Sequence, residues 1–338
     1  MIATTSPKGA QHGGASFFTS PAATGPAAIG AAAIGIAAGI AAGIAAAIIW
    51  ATYLVFAKSG TSHGLAPQDF VLLRFGTAAA IMLPWLVRNN PRTLGGVGWW
   101  RATILMLLAG PPFILLGTGG YIFAPLAHGA VIQPSTVTLA SMMAAAILLK
   151  ERVTCDKLIG VGMIIAGLVV IASHASRMGG GHVWIGDLLF VAAGLSWTGF
   201  TILIKRWELG ALAVTAAVSI VSAIVVVPAT LIWGDFSRIA ALPLGTLVAQ
   251  IIVQGALSGV VAVIAFGIAV RHLGAAKAGL FPAIVPAATL IVGMTVTGAM
   301  PSFYEWTGAA LASLGLVTAI GLVRPLFTPA RLLVPAKG

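Results

Sequence analysis

From residue 36 to residue 323 the sequence is a train of ten apolar runs separated by short polar turns. The runs fall near 36–57, 68–87, 102–122, 126–149, 157–174, 184–204, 211–232, 246–270, 275–298 and 304–323. A helix rises about 1.5 Å per residue, so roughly 20 apolar residues match the thickness of a bilayer's hydrocarbon core. In lipid every backbone amide must be satisfied by protein, which leaves helices or closed barrels as spanning forms. Barrel strands alternate apolar and polar residues over roughly ten positions, whereas these runs are continuous and rich in Ala, Gly and Leu. The expected fold is an all-α integral membrane protein with ten transmembrane helices.

Composition fits a chain with little surface for water. Of 338 residues, 59% are hydrophobic and 7% charged, against about 25% charged in a soluble domain. The net charge is +11. Its basic residues stand singly between apolar runs rather than in a tract, so membrane topology explains them and nucleic acid is not an expected partner. With the N-terminus placed inside, 14 Lys and Arg fall on the inner side. Only Lys58, Arg177 and Arg238 fall outside, and Arg74 lies within a span. This bias puts both termini in the cytoplasm. Residues 1–35 read as a flexible tail and the start of the first helix, and 324–338 as a cytoplasmic tail. The apolar stretch 27–57 far exceeds the roughly 7–15 residues of a signal-peptide core. Cys155 is the single cysteine, so no intrachain disulfide can form.

One phrase occurs twice. Trp50 is followed by Lys58, and Trp197 by Lys205, an offset of 147. Later in each half, Pro134 and Gly160 match Pro282 and Gly308 at an offset of 148. The chain therefore divides into 36–174 and 184–323, each with five runs. Five is odd, so the second half must enter the membrane from the opposite side, giving an inverted repeat about an axis in the membrane plane. Two such halves can expose one central site to either side in turn. That arrangement points to a transporter.

The residues carrying the repeat resemble a known family. Trp50-Ala51 through Ala57-Lys58, Arg74-Phe75, Pro134 through Lys150-Glu151-Arg152 to Gly160, and Gly186-Asp187 through Ser196-Trp197 to Lys205-Arg206 look like EamA repeats. They resemble the ten-helix drug/metabolite transporter superfamily, and within it the YddG-type exporters of aromatic and other neutral amino acids. The resemblance implies a basket-like bundle in the bacterial inner membrane with export as the working direction. One departure is Gly298-Ala299-Met300, where the family often has Gly-Glu-Arg.

No phosphate loop, HExxH or clustered His/carboxylate set occurs, so neither ATP, a metal, a cofactor nor enzymatic chemistry is expected. The seven acids all lie at or near span ends. Intramembrane carboxylates are the usual proton and cation sites, so uniport or exchange driven by the substrate gradient is expected. Export of another solute class on the same fold, with proton coupling, is the alternative; His128 and His272, read as interfacial, are the groups to examine first.

Candidate substrate-binding residues follow from depth and polarity. Arg74 is six residues into the second run, beneath the outer surface, where its planar fork suits a carboxylate; snorkelling or backbone pairing would also account for it. Trp50, Tyr53, Tyr121 and Trp197 offer aromatic faces, either as packing or as the wall of a cavity. Gln250, Gln254 and Ser258 recur at every fourth position, a stripe that must face a cavity or another helix rather than lipid. Gln133-Pro134 and Pro282 with Pro286 interrupt matching runs of the two halves, the best sequence pointer to a transport site. Pro111-Pro112 adds a further hinge. A small-molecule substrate and the lipid bilayer are the expected partners.

Overall fold

The computed structural model describes residues 26–148, 154–177, 182–273, 278, 281–298 and 300–319. The tail through residue 25, the Lys150-Glu151-Arg152 corner and the tail 324–338 lie outside the described residues. The helices are α1 (Pro26–Ser62), α2 (Pro67–Arg88), α3 (Trp99–Ala109), α4 (Pro111–Phe123), α5 (Leu126–Leu148), α6 (Cys155–Arg177) and α7 (Val183–Arg206). They continue with α8 (Ala211–Trp233), α9 (Ser237–Ala240), α10 (Leu244–Gln250), a π-helical stretch (Ile251–Val261) and α11 (Ala262–Leu273). A 3₁₀ turn (Phe281–Ile284) leads into α12 (Val285–Thr297), and α13 spans Phe303–Ala319. No strand occurs among the described residues. Among the described residues six helical stretches are long and apolar enough to cross a membrane: Ala33–Ser62, Pro67–Arg88, Trp99–Phe123, Val183–Arg206, Ala211–Trp233 and Leu244–Leu273.

Helix α1 shows how small residues position the rest. Ile36, Ile40, Ile44 and Ile48 form an exposed ridge at a spacing of four, which suits a lipid-facing surface. The opposite side carries Gly39, Gly43, Ala46, Ala47 and Ala51. The Phe281 ring packs directly on Gly43, where any Cβ would collide with it. Gly39 meets His272 and Leu273 at the end of α11, and Gly186, its equivalent in the repeat, meets Gly120 and Ala124 at the end of α4. Thus the opening helix of each half packs on the third segment of the other.

Helices α6 and α13 show the relation between halves most directly. Gly160 lies against Gly315 and Ala319, while Gly167 lies against Gly308 and Ala312. An offset of 148 converts Gly160 into Gly308 and Gly167 into Gly315. The two helices therefore meet through the same residues, start against finish, as a two-fold relation perpendicular to their length requires. Backbone atoms fill the space beside each glycine, so a side chain at any of the four would force the helices apart. Burial of small residues with close backbone approach is the usual glue between helices in lipid.

The third segment of each half departs from regular α-helix. The first breaks at Gly110, because Pro111 and Pro112 have no N–H for the carbonyls one turn earlier. The second widens into the π stretch, where the Ala262 N–H reaches back five residues to the Leu257 carbonyl. Offsets of 147 and 148 carry Gly110 to Leu257 or Ser258, inside the π stretch. The two interruptions therefore fall at the same place in the repeat.

Candidate functional site

Arg74 on α2 is buried, with 7% of its surface exposed. Its Nη1 donates to Ser258 Oγ at 2.8 Å and its Nη2 to the Ser258 carbonyl at 3.3 Å. The guanidinium carbon lies 5.2 Å from the centre of the Tyr53 ring on α1, within cation–π range. Among the described residues no carboxylate lies within ion-pair distance of Arg74. A buried charge without a counter-charge is costly, so the position favours an anionic group brought from elsewhere.

The polar stripe of the sequence runs on from this point. Gln250 Nε2 donates to the Phe56 carbonyl at 2.8 Å, and Gln254 Nε2 donates to Gln250 Oε1 at 3.3 Å. All three side chains of the stripe are buried, and Gln254 Oε1 receives no hydrogen bond from the described residues. Gly60 leaves room for the Gln250 amide, since a Cβ there would stand 2.7 Å from Nε2. Gly255 does the same for Thr77 of α2, so α2 and the π stretch approach closely enough for Arg74 to reach Ser258.

The other expected residues divide into near and far. Gln133 and Tyr53 converge on Gly117, where a Cβ would stand 3.7 Å from Gln133 Oε1 and 3.8 Å from the Tyr53 hydroxyl. Trp50 instead packs on Phe266 at 5.3 Å, and Trp197 sits between Phe113 and Phe200 at 5.1 and 5.0 Å. Tyr121 packs on Phe190 at 4.9 Å, with its hydroxyl over Gly129 and no hydrogen-bond partner. The structure thus gathers Tyr53, Arg74, Gln250, Gln254 and Ser258, with Gln133 beside Tyr53. The tryptophans stand in separate aromatic groups, each joining the first helix of one half to the third segment of the other. Pro134 lies inside α5, Pro282 in the 3₁₀ turn and Pro286 in the first turn of α12.

His128, near the start of α5, is 2% exposed and its Nδ1 lies 2.7 Å from Asp187 Oδ1 on α7. Packing of α5 on α7 draws the imidazole inward, and the carboxylate gives it a partner. Three further contacts were not read from the sequence. Ser196 Oγ on α7 donates to the Leu108 carbonyl at 2.6 Å, replacing the N–H that Pro112 lacks. Lys58 Nζ donates to the Tyr121 and Ala124 carbonyls at 2.8 and 3.2 Å, closing the C-terminus of α4. Arg238 Nε holds buried Asp69 at 2.9 Å and its Nη1 lies 3.2 Å from Asp235. Hydrogen bonds from Ser237, then the Arg238 charge, hold the Asp235 carboxyl below its ordinary range. The hydrogen bond to Asp69 raises Arg238 above its own.

Apolar helices in two like halves, with a polar network where the halves meet, define a membrane transport protein. The EamA-like transporter family matches residues 37–173 and 184–321, and the chain belongs to that family. It is 24% identical over 268 residues to a protein of Bacillus subtilis (strain 168) named "Uncharacterized transporter YyaM", covering 77% of this chain and 86% of that one. A crystal structure with 19% identity superposes with a TM-score of 0.60 over 86% of this chain and 98% of its own. That likeness concerns the fold.

Proposed function

We propose that the protein exports small neutral and aromatic amino acids across the bacterial inner membrane by alternating access, in the manner of YddG-type exporters. The observation that carries the reading is Arg74: buried, held by Ser258 of the opposite half, stacked on Tyr53 and, among the described residues, without a carboxylate partner. A substrate carboxylate supplies the missing charge, and Gln133, Gln250 and Gln254 add neutral polar groups. Trp50, Tyr121 and Trp197 border the route as aromatic walls. The break at Pro111-Pro112 and the prolines at 134, 282 and 286 let α4, α5 and α12 tilt as the site changes sides.

Ten spans in two inverted halves, with both termini cytoplasmic, complete the reading. Contacts between helix ends support it, because they join ends that strict alternation puts on one side. Lys58 with Ala124, Asp69 with Arg238 and His128 with Asp187 form one such set. Gly35 with His272, Arg101 with Trp207 and Gly160 with Ala319 form the other. Proteoliposomes preloaded with unlabelled phenylalanine, threonine or methionine are expected to accumulate the same labelled solute by counterflow. No counterflow with any of them, from folded protein, would overturn the amino-acid assignment.

Proton-coupled export of a different solute has one observation in its favour, the pairing of buried His128 with half-buried Asp187 between α5 and α7. Uphill transport driven by an imposed pH gradient would establish it against uniport or exchange.

A further inference from the structure

The hydrogen bonds around the π stretch form a chain with a definite direction. It starts at the Phe56 carbonyl, which can only accept. Gln250 must therefore turn its NH2 towards α1, which leaves its oxygen facing Gln254. That oxygen holds the NH2 of Gln254 in turn. Reversing either amide would set oxygen against oxygen, so the network itself assigns both orientations. The chain ends on Gln254 Oε1, fully buried and without a donor.

Ser258, four residues on, presents the opposite character. Its Oγ accepts from Arg74, so its own hydrogen is available to donate. The Arg74 guanidinium has five N–H groups, and hydrogen bonds to Ser258 engage its Nη1 and Nη2. A set of donors and a bare acceptor thus lie one turn apart on one helix, neighbouring positions on its surface. The ammonium and carboxylate of an α-amino acid share one carbon and need sites that are neighbours. A lone carboxylate needs only the donors.

We propose that Gln254 Oε1 receives the α-ammonium of a substrate whose carboxylate is held by Arg74 and Ser258, so that the site selects amino acids against their deaminated analogues. The inference rests on the amino-acid reading above and assigns the part of the substrate that Gln254 recognises. A 2-oxo acid would bring its carbonyl oxygen against Oε1, and a desamino acid would leave Oε1 unmet. A site built to pair a polar group rejects the analogue that lacks it far more strongly than it rejects a change of apolar bulk.

The test is counterflow of labelled phenylalanine into proteoliposomes holding the full chain, with phenylalanine, phenylpyruvate or 3-phenylpropionate as competitor. Wild type is expected to prefer phenylalanine to both analogues by at least about tenfold. Gln254→Leu is expected to bring that ratio close to one, and Gln254→Glu to keep it, because a carboxylate still accepts from an ammonium. Equal competition by all three solutes in wild type would overturn the inference without any variant, and would leave Oε1 to a water. An unchanged preference in Gln254→Leu, or a lost one in folded Gln254→Glu, would overturn it as well. Absence of phenylalanine counterflow in wild type would instead sink the amino-acid reading, and this inference with it.

Discussion

The third segments of the two halves occupy equivalent places and are interrupted at equivalent points, yet by different means. In the first half Gly110, Pro111 and Pro112 break the helix by removing donors, and the exposed Leu108 carbonyl is satisfied by Ser196 from the opposite half. In the second half no proline is present; the helix widens instead and carries Gln250, Gln254 and Ser258. The first interruption is a backbone device, closed by one hydroxyl. The second is a side-chain device, and it ends in an unmet atom. A duplicated scaffold can therefore keep the position of a discontinuity while only one copy retains the groups able to recognise a solute.

The largest expected effect comes from removing the cation that joins α2 to the second-half segment. Arg74→Ala should lower counterflow by at least about a hundredfold while folded protein is still recovered, as expected when one buried charged partner is deleted. A similar loss in Pro111→Ala with Pro112→Ala would break the comparison, because recognition would then depend on both segments alike. Next in size is Gly110→Val. A Cβ there meets the Met106 carbonyl and stands 2.8 Å from Ser222 Oγ. A loss of about 3 kcal/mol, read as thermal unfolding in detergent, is expected, whereas Leu257→Val at the equivalent point should cost about 1 kcal/mol.

Ser196→Ala comes third. It leaves the Leu108 carbonyl unpaired, and a loss of about 1–2 kcal/mol in the same unfolding assay is expected. No change would mean that the break at Gly110 needs nothing from α7. The smallest difference separates the two lysines of the repeated phrase. Lys58 closes the end of α4 through two carbonyls, while Lys205 is exposed. Lys58→Met should destabilise by about 1 kcal/mol and Lys205→Met by less than about 0.5 kcal/mol; equal effects would erase the asymmetry at this position.

Much of the scaffold was legible because bilayer thickness and backbone satisfaction act on whole segments. Every apolar run coincides in part with helix, and the repeat that pairs Trp50 with Trp197 at 147 pairs the glycines of the α6–α13 contact at 148. The π stretch was not legible. It differs from α-helix by less than one residue per turn, and over eleven residues no residue type marks the change. Arg74 could be singled out from depth alone, but its choice between backbone pairing and a ligand depended on Ser258, 184 positions away. The partner of His128 was hidden for a similar reason, since Asp187 lies 59 positions further on and meets it only through packing. The open oxygen of Gln254 was out of reach of any motif, because its orientation depends on the Phe56 carbonyl.

The contact between α6 and α13 has a bearing on how such a chain could arise. Gly160 touches the counterpart of Gly167, and Gly167 touches the counterpart of Gly160. A surface that pairs with its own image is what a closed symmetric dimer requires. A five-helix ancestor bearing one copy of this patch could recognise a second copy of itself, lying upside down beside it, before any gene joined the two. In such an ancestor every substitution would have acted twice, once on each side. Joining the copies would release them from that constraint, so that one third segment could come to carry amides while the other carries prolines.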